Sequence, residues 1–350
     1  MVTLAHRLRR VAIVFASILG TAYIILVLIA LLNYNPRVKI GMPIIVDDAE
    51  LPGAGTRCKM DPDLGPVKVD IYTKPCMEEL ERMNPEIQAG GAWKPPNCQS
   101  WQKVAIVIPY RDRLGHLKIL LRRLHPMLRK QQIAYRIFVV EQAGTDQFNR
   151  GRLMNIGYAE AMKEDNFDCF IFHDVDLIPE DDRNVYLCDD QARHLSSAID
   201  EMRYHIMYYN YAGGVIALNR QNVLKVNGYS NDYWGWGNED DDFSARTLAA
   251  GLMLTRPPEH IGRFKMVRHL KADRSNHGNS YFFTWRSRWK NDGINAIKEL
   301  NYKVVEKTDL PVFTNISVDI GHPPDEKTWN ERNKNQESVT MLWFLRFYYP

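Results

Sequence analysis

Val104-Ala-Ile-Val-Ile-Pro-Tyr-Arg-Asp-Arg113 decides the fold. Val104–Ile108 is an unbroken apolar run, short enough for a strand and bounded by Pro109, so it reads as a strand buried on both faces and stopped at the proline. Outward from it the pattern repeats. Residues 114–130 place Leu117, Leu120, Leu121, Leu124 and Leu128 at helical spacing. Tyr135–Val140 is a second strand. Residues 150–163 are a second helix, with Leu153, Met154, Ile156 and Gly157 facing inward. Cys169-Phe-Ile-Phe-His-Asp-Val-Asp176 is a third strand that ends in acids. Strands alternating with helices imply an α/β fold, a parallel sheet covered on both faces. Ligands of such sheets bind off the carboxyl ends of the strands. Pro109–Arg113, Glu141–Gln142 and Asp174–Asp176 all fall at those ends. Later come an apolar run at 205–218 and a strand at 311–320. A strongly aromatic stretch at 341–350 is expected to pack on the domain.

A chain of 350 residues, 45% hydrophobic and 25% charged, has ample material for a globular core. Its net charge of +3 is too weak to suggest a nucleic-acid partner. Residues 11–32 carry no charge. As a helix they would span ~33 Å, enough to cross a bilayer, and they exceed the ~7–15 residues of a signal-peptide core. His6, Arg7, Arg9 and Arg10 precede the run, whereas only Arg37 and Lys39 follow it closely. That asymmetry predicts a cytosolic tail (1–10), one transmembrane anchor (11–32), a Pro/Gly-rich stem (33–57) and a luminal domain (58–350). The chain has five cysteines. Cys169 and Cys188 flank a short acidic segment and are candidates for a disulfide. Cys58, Cys76 and Cys98 cannot all pair within the chain, so one thiol is left free or intermolecular, and a homodimer stays open. Asn315-Ile-Ser317 is a candidate N-glycosylation site in a strand-like run.

Tyr233-Trp-Gly-Trp-Gly-Asn-Glu-Asp-Asp-Asp242 combines aromatic rings, glycines and consecutive acids. A solvated loop has no use for Trp234 and Trp236, and a core cannot hold unpaired carboxylates cheaply. Aromatic faces bind sugar rings, and carboxylates take protons or hydroxyls. The plainer reading is a helix N-terminus, where acids favour the dipole. The two are compatible if the first turn faces a cleft. Asp174-Val-Asp176 puts two carboxylates on one side of an extended segment, suited to a divalent cation. Arg111 and Arg113 match phosphate oxygens, or pair with neighbouring acids. Phe148-Asn-Arg150 opens a helix whose N–H groups suit phosphate. Met266 and His269 are spaced to reach one metal, although a lone histidine is more commonly structural.

These segments together resemble the β1,4-galactosyltransferase family, including the related β1,4-N-acetylgalactosaminyltransferases. The resemblance runs from about Cys58 to Gly321. It lies in Pro109-Tyr-Arg-Asp-Arg113, Phe148-Asn-Arg150, His173-Asp-Val-Asp-Leu-Ile-Pro179, Gly213-Gly-Val215, Tyr233–Asp242 and Met266-x-x-His269. It implies a GT-A, Rossmann-like domain of a single-pass type II Golgi membrane enzyme. The implied reaction is inverting, manganese-dependent transfer of galactose from UDP-galactose to the 4-hydroxyl of terminal N-acetylglucosamine on a glycoconjugate. The same reaction with UDP-N-acetylgalactosamine is the alternative. Pro109, Arg111, Arg113, Phe148, Arg150, Asp174 and Val175 would hold the nucleotide, and Asp176, Met266 and His269 would ligate Mn2+. Asp240 would be the general base, flanked by Glu239 and Asp241 holding substrate hydroxyls. Tyr208, Tyr211, Gly214, Tyr233, Trp236 and Phe282 would line the sugars, and residues 267–282 would form a lid. The resemblance also implies disulfides Cys58–Cys98 and Cys169–Cys188. Departures are Tyr110 for phenylalanine, Asn238 for glycine, and Tyr281-Phe282 near the family's Arg-Phe acceptor pair. Tyr211 before the Gly-Gly pair implies galactose, while small Ala212 leaves room for the N-acetyl donor. A reading of another class is a membrane-anchored sugar-binding protein without catalysis, for which a diphosphate-metal site has no use.

Overall fold

The strand predicted at 104–108 is the middle of a ten-stranded sheet. The computed structural model describes residues 38–40, 56–270, 274, 278–297, 302–334, 336 and 347–348. All of them belong to one unit, Arg37–Tyr349. In chain order the strands are β1 (Val38–Ile40), β2 (Ala92–Trp93), β3 (Lys103–Tyr110), β4 (Ala134–Gln142), β5 (Cys169–His173), β6 (Leu177–Pro179), β7 (Ala192–His194), β8 (Ala198–Ile199), β9 (Val215–Asn219), β10 (Leu254–Arg256), β11 (Arg263–Met266), β12 (Lys303–Leu310) and β13 (Phe313–Asp319). The helices are α1 (Met77–Met83), α2 (Leu114–Lys130), α3 (Arg150–Glu164), α4 (Arg220–Val226), α5 (Glu239–Ala249), α6 (Gly278–Phe283), α7 (Trp285–Arg288) and α8 (Glu326–Asn333).

The main sheet runs β1-β10-β7-β9-β5-β3-β4-β13-β12, and β2 pairs with β4. Its centre is parallel as expected, with β3 between β4 and β5 and β4 beside β13. The whole sheet is mixed, however: β9 is antiparallel to β5 and β7, and β12 is antiparallel to β13. Alternate residues of β3 serve opposite faces. Val104, Ile106 and Ile108 join Leu117, Leu120, Leu121, Leu124 and Leu128 of α2 in one apolar cluster. Ala105 and Val107 join Leu153, Met154 and Ile156 of α3 in the other. Gly157 lets α3 close on the sheet, since a Cβ there would stand 2.3 Å from Val107 Cγ1.

Pro109 does not end β3, which continues through Tyr110. The pairing with β5 stops at Val107, so among the described residues only β4 is still beside β3 at Pro109. An open flank asks no N–H of the proline. Asp174 and Asp176 are likewise not in an extended segment. β5 stops at His173, and the acids occupy the turn into β6, where Leu177 N–H donates to Asp174 O at 3.4 Å. That turn leads into a second, three-stranded sheet, β6-β11-β8.

Disulfides Cys58–Cys98 and Cys169–Cys188 are both formed. Cys76 is free and exposed, and its Sγ accepts the Glu79 N–H at the start of α1, 3.3 Å away. The predicted anchor at 11–32 lies outside the described residues, among which no helix is long and apolar enough to cross a membrane.

Candidate active site

The carboxyl ends of β3, β4 and β5 open onto one place. The loop after β4 is braced from within: Gln142 accepts the Asn149 N–H at 2.9 Å and donates to Gln147 O at 3.0 Å. Asn149 then caps α3 by accepting Arg152 N–H at 2.9 Å. This holds Phe148 under Arg111, whose guanidinium lies 5.5 Å from the ring centroid and donates to Asp146 O at 2.6 Å. Two segments far apart in sequence thus make one platform of charge over an aromatic face.

Arg150 is the hub behind it. Its Nε donates to Asp174 Oδ1 at 2.6 Å, its Nη2 to Gly214 O at 3.3 Å, and its Nη1 lies 3.7 Å from Glu239 Oε1. The guanidinium stacks over Tyr229 at 5.5 Å. Among the described residues neither Arg150 Nη1 nor Glu239 Oε2 has a hydrogen-bond partner, although both atoms are buried. Such orphans suit a polar ligand.

α5 begins directly after left-handed Gly237 and Asn238, so all four acids fall in its first turn. There they meet the positive end of the helix dipole. Successive helical residues point about 100° apart, and each acid meets a different environment. Glu239 faces Arg150. Asp240 backs onto Gly213, where a Cβ would stand 2.6 Å from its Oδ2 and 2.4 Å from the Tyr211 hydroxyl. Asp241 accepts the hydroxyls of Tyr208 and, at 2.9 Å, Tyr348. Asp242 is fully buried and clamped by Arg246, Arg288 and Tyr233. Burial pushes the Glu239 carboxyl up to about 8, with the Asp240 charge adding to it. Burial likewise raises Asp241 to about 7 and Asp174 to about 6. Asp240 is also raised by burial, with Arg150 opposing the rise. A raised carboxylate is a better proton acceptor at neutral pH.

Asp176 and His269 meet, with Nε2 2.8 Å from Oδ2, and this bond holds the His269 pKa above its ordinary value. Met266 pairs across from Leu177, the residue after Asp176. The three expected metal donors are therefore neighbours. Among the described residues no cluster of three or more His, Cys, Asp or Glu side chains could hold a metal. This set supplies two such residues, a carboxylate and an imidazole suited to Mn2+, plus a softer thioether. Arg113 reaches the same corner, 3.3 Å from His269 Nδ1.

Comparison with known proteins places this geometry. Residues 58–189 match the N-terminal region of glycosyl transferase group 7, and residues 193–270 match the N-terminal domain of galactosyltransferase. Human β1,4-galactosyltransferase 2 is 45% identical over 259 residues, covering 72% of this chain and 68% of that protein. β1,4-Galactosyltransferase 3 of Cricetulus griseus is 42% identical over 266 residues, covering 75% and 66%. The chain belongs to the β1,4-galactosyltransferase family. It spans about two thirds of the length of these curated relatives. Two crystal structures of Drosophila β1,4-galactosyltransferase 7, one of them of its catalytic domain, share the fold. One, with xylobiose, is 27% identical with a TM-score of 0.53. The other, a mutant with manganese, UDP-Gal and xylobiose, is 26% identical with a TM-score of 0.55. Each match covers 65% of this chain and 97% of that one. The fold is thus the mixed α/β, GT-A-like fold of a glycosyltransferase.

Within this family member the expected site residues divide. Pro109, Arg111, Arg113, Phe148, Arg150, Asp174, Val175, Asp176, Met266 and His269 sit at the strand ends or beside them. Tyr208, Tyr211 and Gly214 adjoin the acid turn. Trp236 is exposed, at 46%, with the Arg274 guanidinium 5.1 Å from its ring centroid. Of the expected lid at 267–282, residues 271–273 and 275–277 lie outside the described residues.

Two expected sugar-binding residues are elsewhere. Tyr233 is 1% exposed, with its hydroxyl spent on Asp242. Phe282, also 1% exposed, packs with Ala245, Trp285 and Phe347. Both are core residues, because α6 and α7 fold over the side of α5 away from Gly213. Trp234 is core too, under the Arg152 guanidinium. Asn315 lies inside β13, paired on both sides, and its amide donates to Glu141 at 3.2 Å. A glycan there would have to break that bond. Sequence reasoning missed Tyr229 under Arg150 and Tyr348 on Asp241, and it named Gly213 only within Gly213-Gly-Val215, without its place behind Asp240. Of the two missed residues only Tyr348 had a visible signal, the aromatic run at 341–350.

Proposed function

We propose that the chain is a manganese-dependent, inverting galactosyltransferase that moves galactose from UDP-galactose to the 4-hydroxyl of a terminal N-acetylglucosamine. The observation that carries this reading is a convergence at the ends of β3, β4 and β5. There lie the Asp176–His269 pair and the Arg111–Phe148 platform, and Arg150 joins Asp174 at the same end to Glu239 of the acid turn. Arg111 and Phe148 hold the nucleotide, and Arg150 sets the position of Glu239 and Asp174. Asp240 takes the acceptor hydroxyl proton as that oxygen attacks the anomeric carbon and UDP departs from the opposite face. Asp176, Met266 and His269 would hold Mn2+, which offsets charge on the diphosphate. The manganese and UDP-Gal named with the Drosophila structure support donor and metal alike.

Ala212 does not favour the N-acetyl donor. Its side chain is 1% exposed inside an apolar cluster, closed to a substrate group. Tyr211 stands on the site side, beside Gly213. Residues 1–10 are read as cytosolic tail, 11–32 as Golgi membrane anchor, 33–57 as stem and 58–350 as luminal domain. Two disulfides suit an oxidising lumen.

The test offers the chain Mn2+, an N-acetylglucosaminide, and UDP-galactose or UDP-N-acetylgalactosamine in parallel. Galactose should be preferred. Asp240→Asn should lower kcat by about 100-fold or more while UDP affinity stays near wild type by calorimetry. Unaltered turnover in that variant would remove Asp240 as base. Manganese-dependent UDP binding with no product from either donor would favour the sugar-binding alternative.

A further inference from the structure

We propose that Tyr348 is an acceptor-specificity residue, closing the acceptor side of the acid turn from a segment far along the chain. The inference rests on the galactosyltransferase reading above. Phe347 and Tyr348 lie outside both matched family regions, which end at residue 270. The Tyr348 hydroxyl donates to Asp241 Oδ2 at 2.9 Å, and the Tyr208 hydroxyl occupies Oδ1. Both oxygens of the acid that follows the proposed base are therefore engaged, one of them by this late segment.

The contact is built rather than incidental. Phe347 is 2% exposed, in the cluster with Ala245, Phe282 and Trp285, and its carbonyl accepts the Asn210 side-chain N–H. Tyr348 and Tyr208 meet edge to face with centroids 4.8 Å apart, and Tyr208 meets Tyr211 in the same way at 5.5 Å. Three tyrosines thus run from residue 348 to the residue beside Gly213 and Asp240.

An acceptor hydroxyl that seeks Asp241 Oδ2 meets a phenol already in place. It must displace a hydrogen bond to a carboxylate, and its ring substituents must clear the Tyr348 ring. Selection therefore acts on the acceptor. The donor side is left to Arg150, Glu239 and Tyr211.

The experiment uses the full chain in detergent, with Mn2+ and UDP-galactose, and compares an N-acetylglucosaminide with a xyloside. Xylose lacks both the N-acetyl and the hydroxymethyl group, so the ratio of the two kcat/KM values reports how much bulk is admitted. Tyr348→Ala should move that ratio about tenfold toward the bulkier acceptor. Tyr348→Phe keeps the ring but frees Asp241, so acceptor KM should fall by about tenfold, the worth of one hydrogen bond to a charged group. An unchanged or raised acceptor KM in Tyr348→Phe overturns the assignment, as does an unchanged ratio in a folded Tyr348→Ala. If the alanine variant does not fold, the phenylalanine variant decides alone. Transfer of galactose by the unaltered chain is followed alongside. Its absence with both acceptors overturns the galactosyltransferase reading, whereas transfer with unchanged acceptor constants in the variants overturns only the role of Tyr348.

Discussion

A Cβ on Gly213 would stand 2.4 Å from the Tyr211 hydroxyl and 2.6 Å from Asp240 Oδ2. Both atoms are ends of side chains, so the fold can absorb an alanine by moving them. The chemistry cannot, because small displacements of a positioned base are costly. Gly213→Ala should therefore lower kcat by about 100-fold, with little change in melting temperature. Steady-state kinetics beside calorimetry check this, and an alanine variant with full kcat would mean that Asp240 does not need its place. Gly214 behaves differently. Its φ of +92° and the Ser196 Oγ 2.5 Å from a Cβ make it a backbone requirement. At this scale the sequence named the right residue types but not their division of labour. Four adjacent acids, two tryptophans and three tyrosines look alike in a string. Only the register of α5 separates the site-facing Asp240 from the clamped Asp242, and only the course of the loop before it separates exposed Trp236 from buried Trp234.

α5 is held by what its first turn does on the hidden side. Asp242 accepts Arg246 Nε at 2.7 Å and the Tyr233 hydroxyl at 2.9 Å, and it also takes Arg288 of α7. Removing the carboxylate leaves two buried guanidiniums to share Asp292 as their remaining carboxylate. Asp242→Ala should cost about 3–5 kcal/mol, read as a lower urea midpoint. A loss under about 1 kcal/mol, the size of an exposed pair, would show that the clamp is not needed. Elements as robust as these differ in how far they can be read. β3, α2, β4, α3 and β5 were legible because their apolar periods are long and distinct. The antiparallel entry of β9 was not, since an apolar run carries no direction. The sheet β6-β11-β8 was invisible for another reason. Its strands are short, and Leu177–Pro179 pairs with Arg263–Met266 far along the chain. The metal corner depends on that pairing, so spacing offered Asp174-Val-Asp176 and Met266 with His269 as separate candidates, and only the resemblance joined them into one site.

Taken as one molecule, the chain gathers residues from 111 to 348 around carboxyls it buries without enough positive charge. Arg150 opposes the rise of the Glu239 pKa but does not cancel it. Glu239 is left near 8 and Asp241 near 7, against about 4 for exposed carboxyls. The folded chain thus keeps protons that the unfolded chain has already released. Stability from these groups is fully present below about pH 4 and is lost as pH rises through 7 and then 8. The unfolding midpoint of the ligand-free, chelator-treated protein should therefore fall between pH 5 and pH 8.5. Glu239→Gln carries an amide that cannot ionise, so its midpoint should fall less over the same range. Thermal unfolding at matched ionic strength measures both slopes. Parallel curves for the two proteins would mean that Glu239 is already ionised at pH 5 and that the strain of the acid turn resides elsewhere.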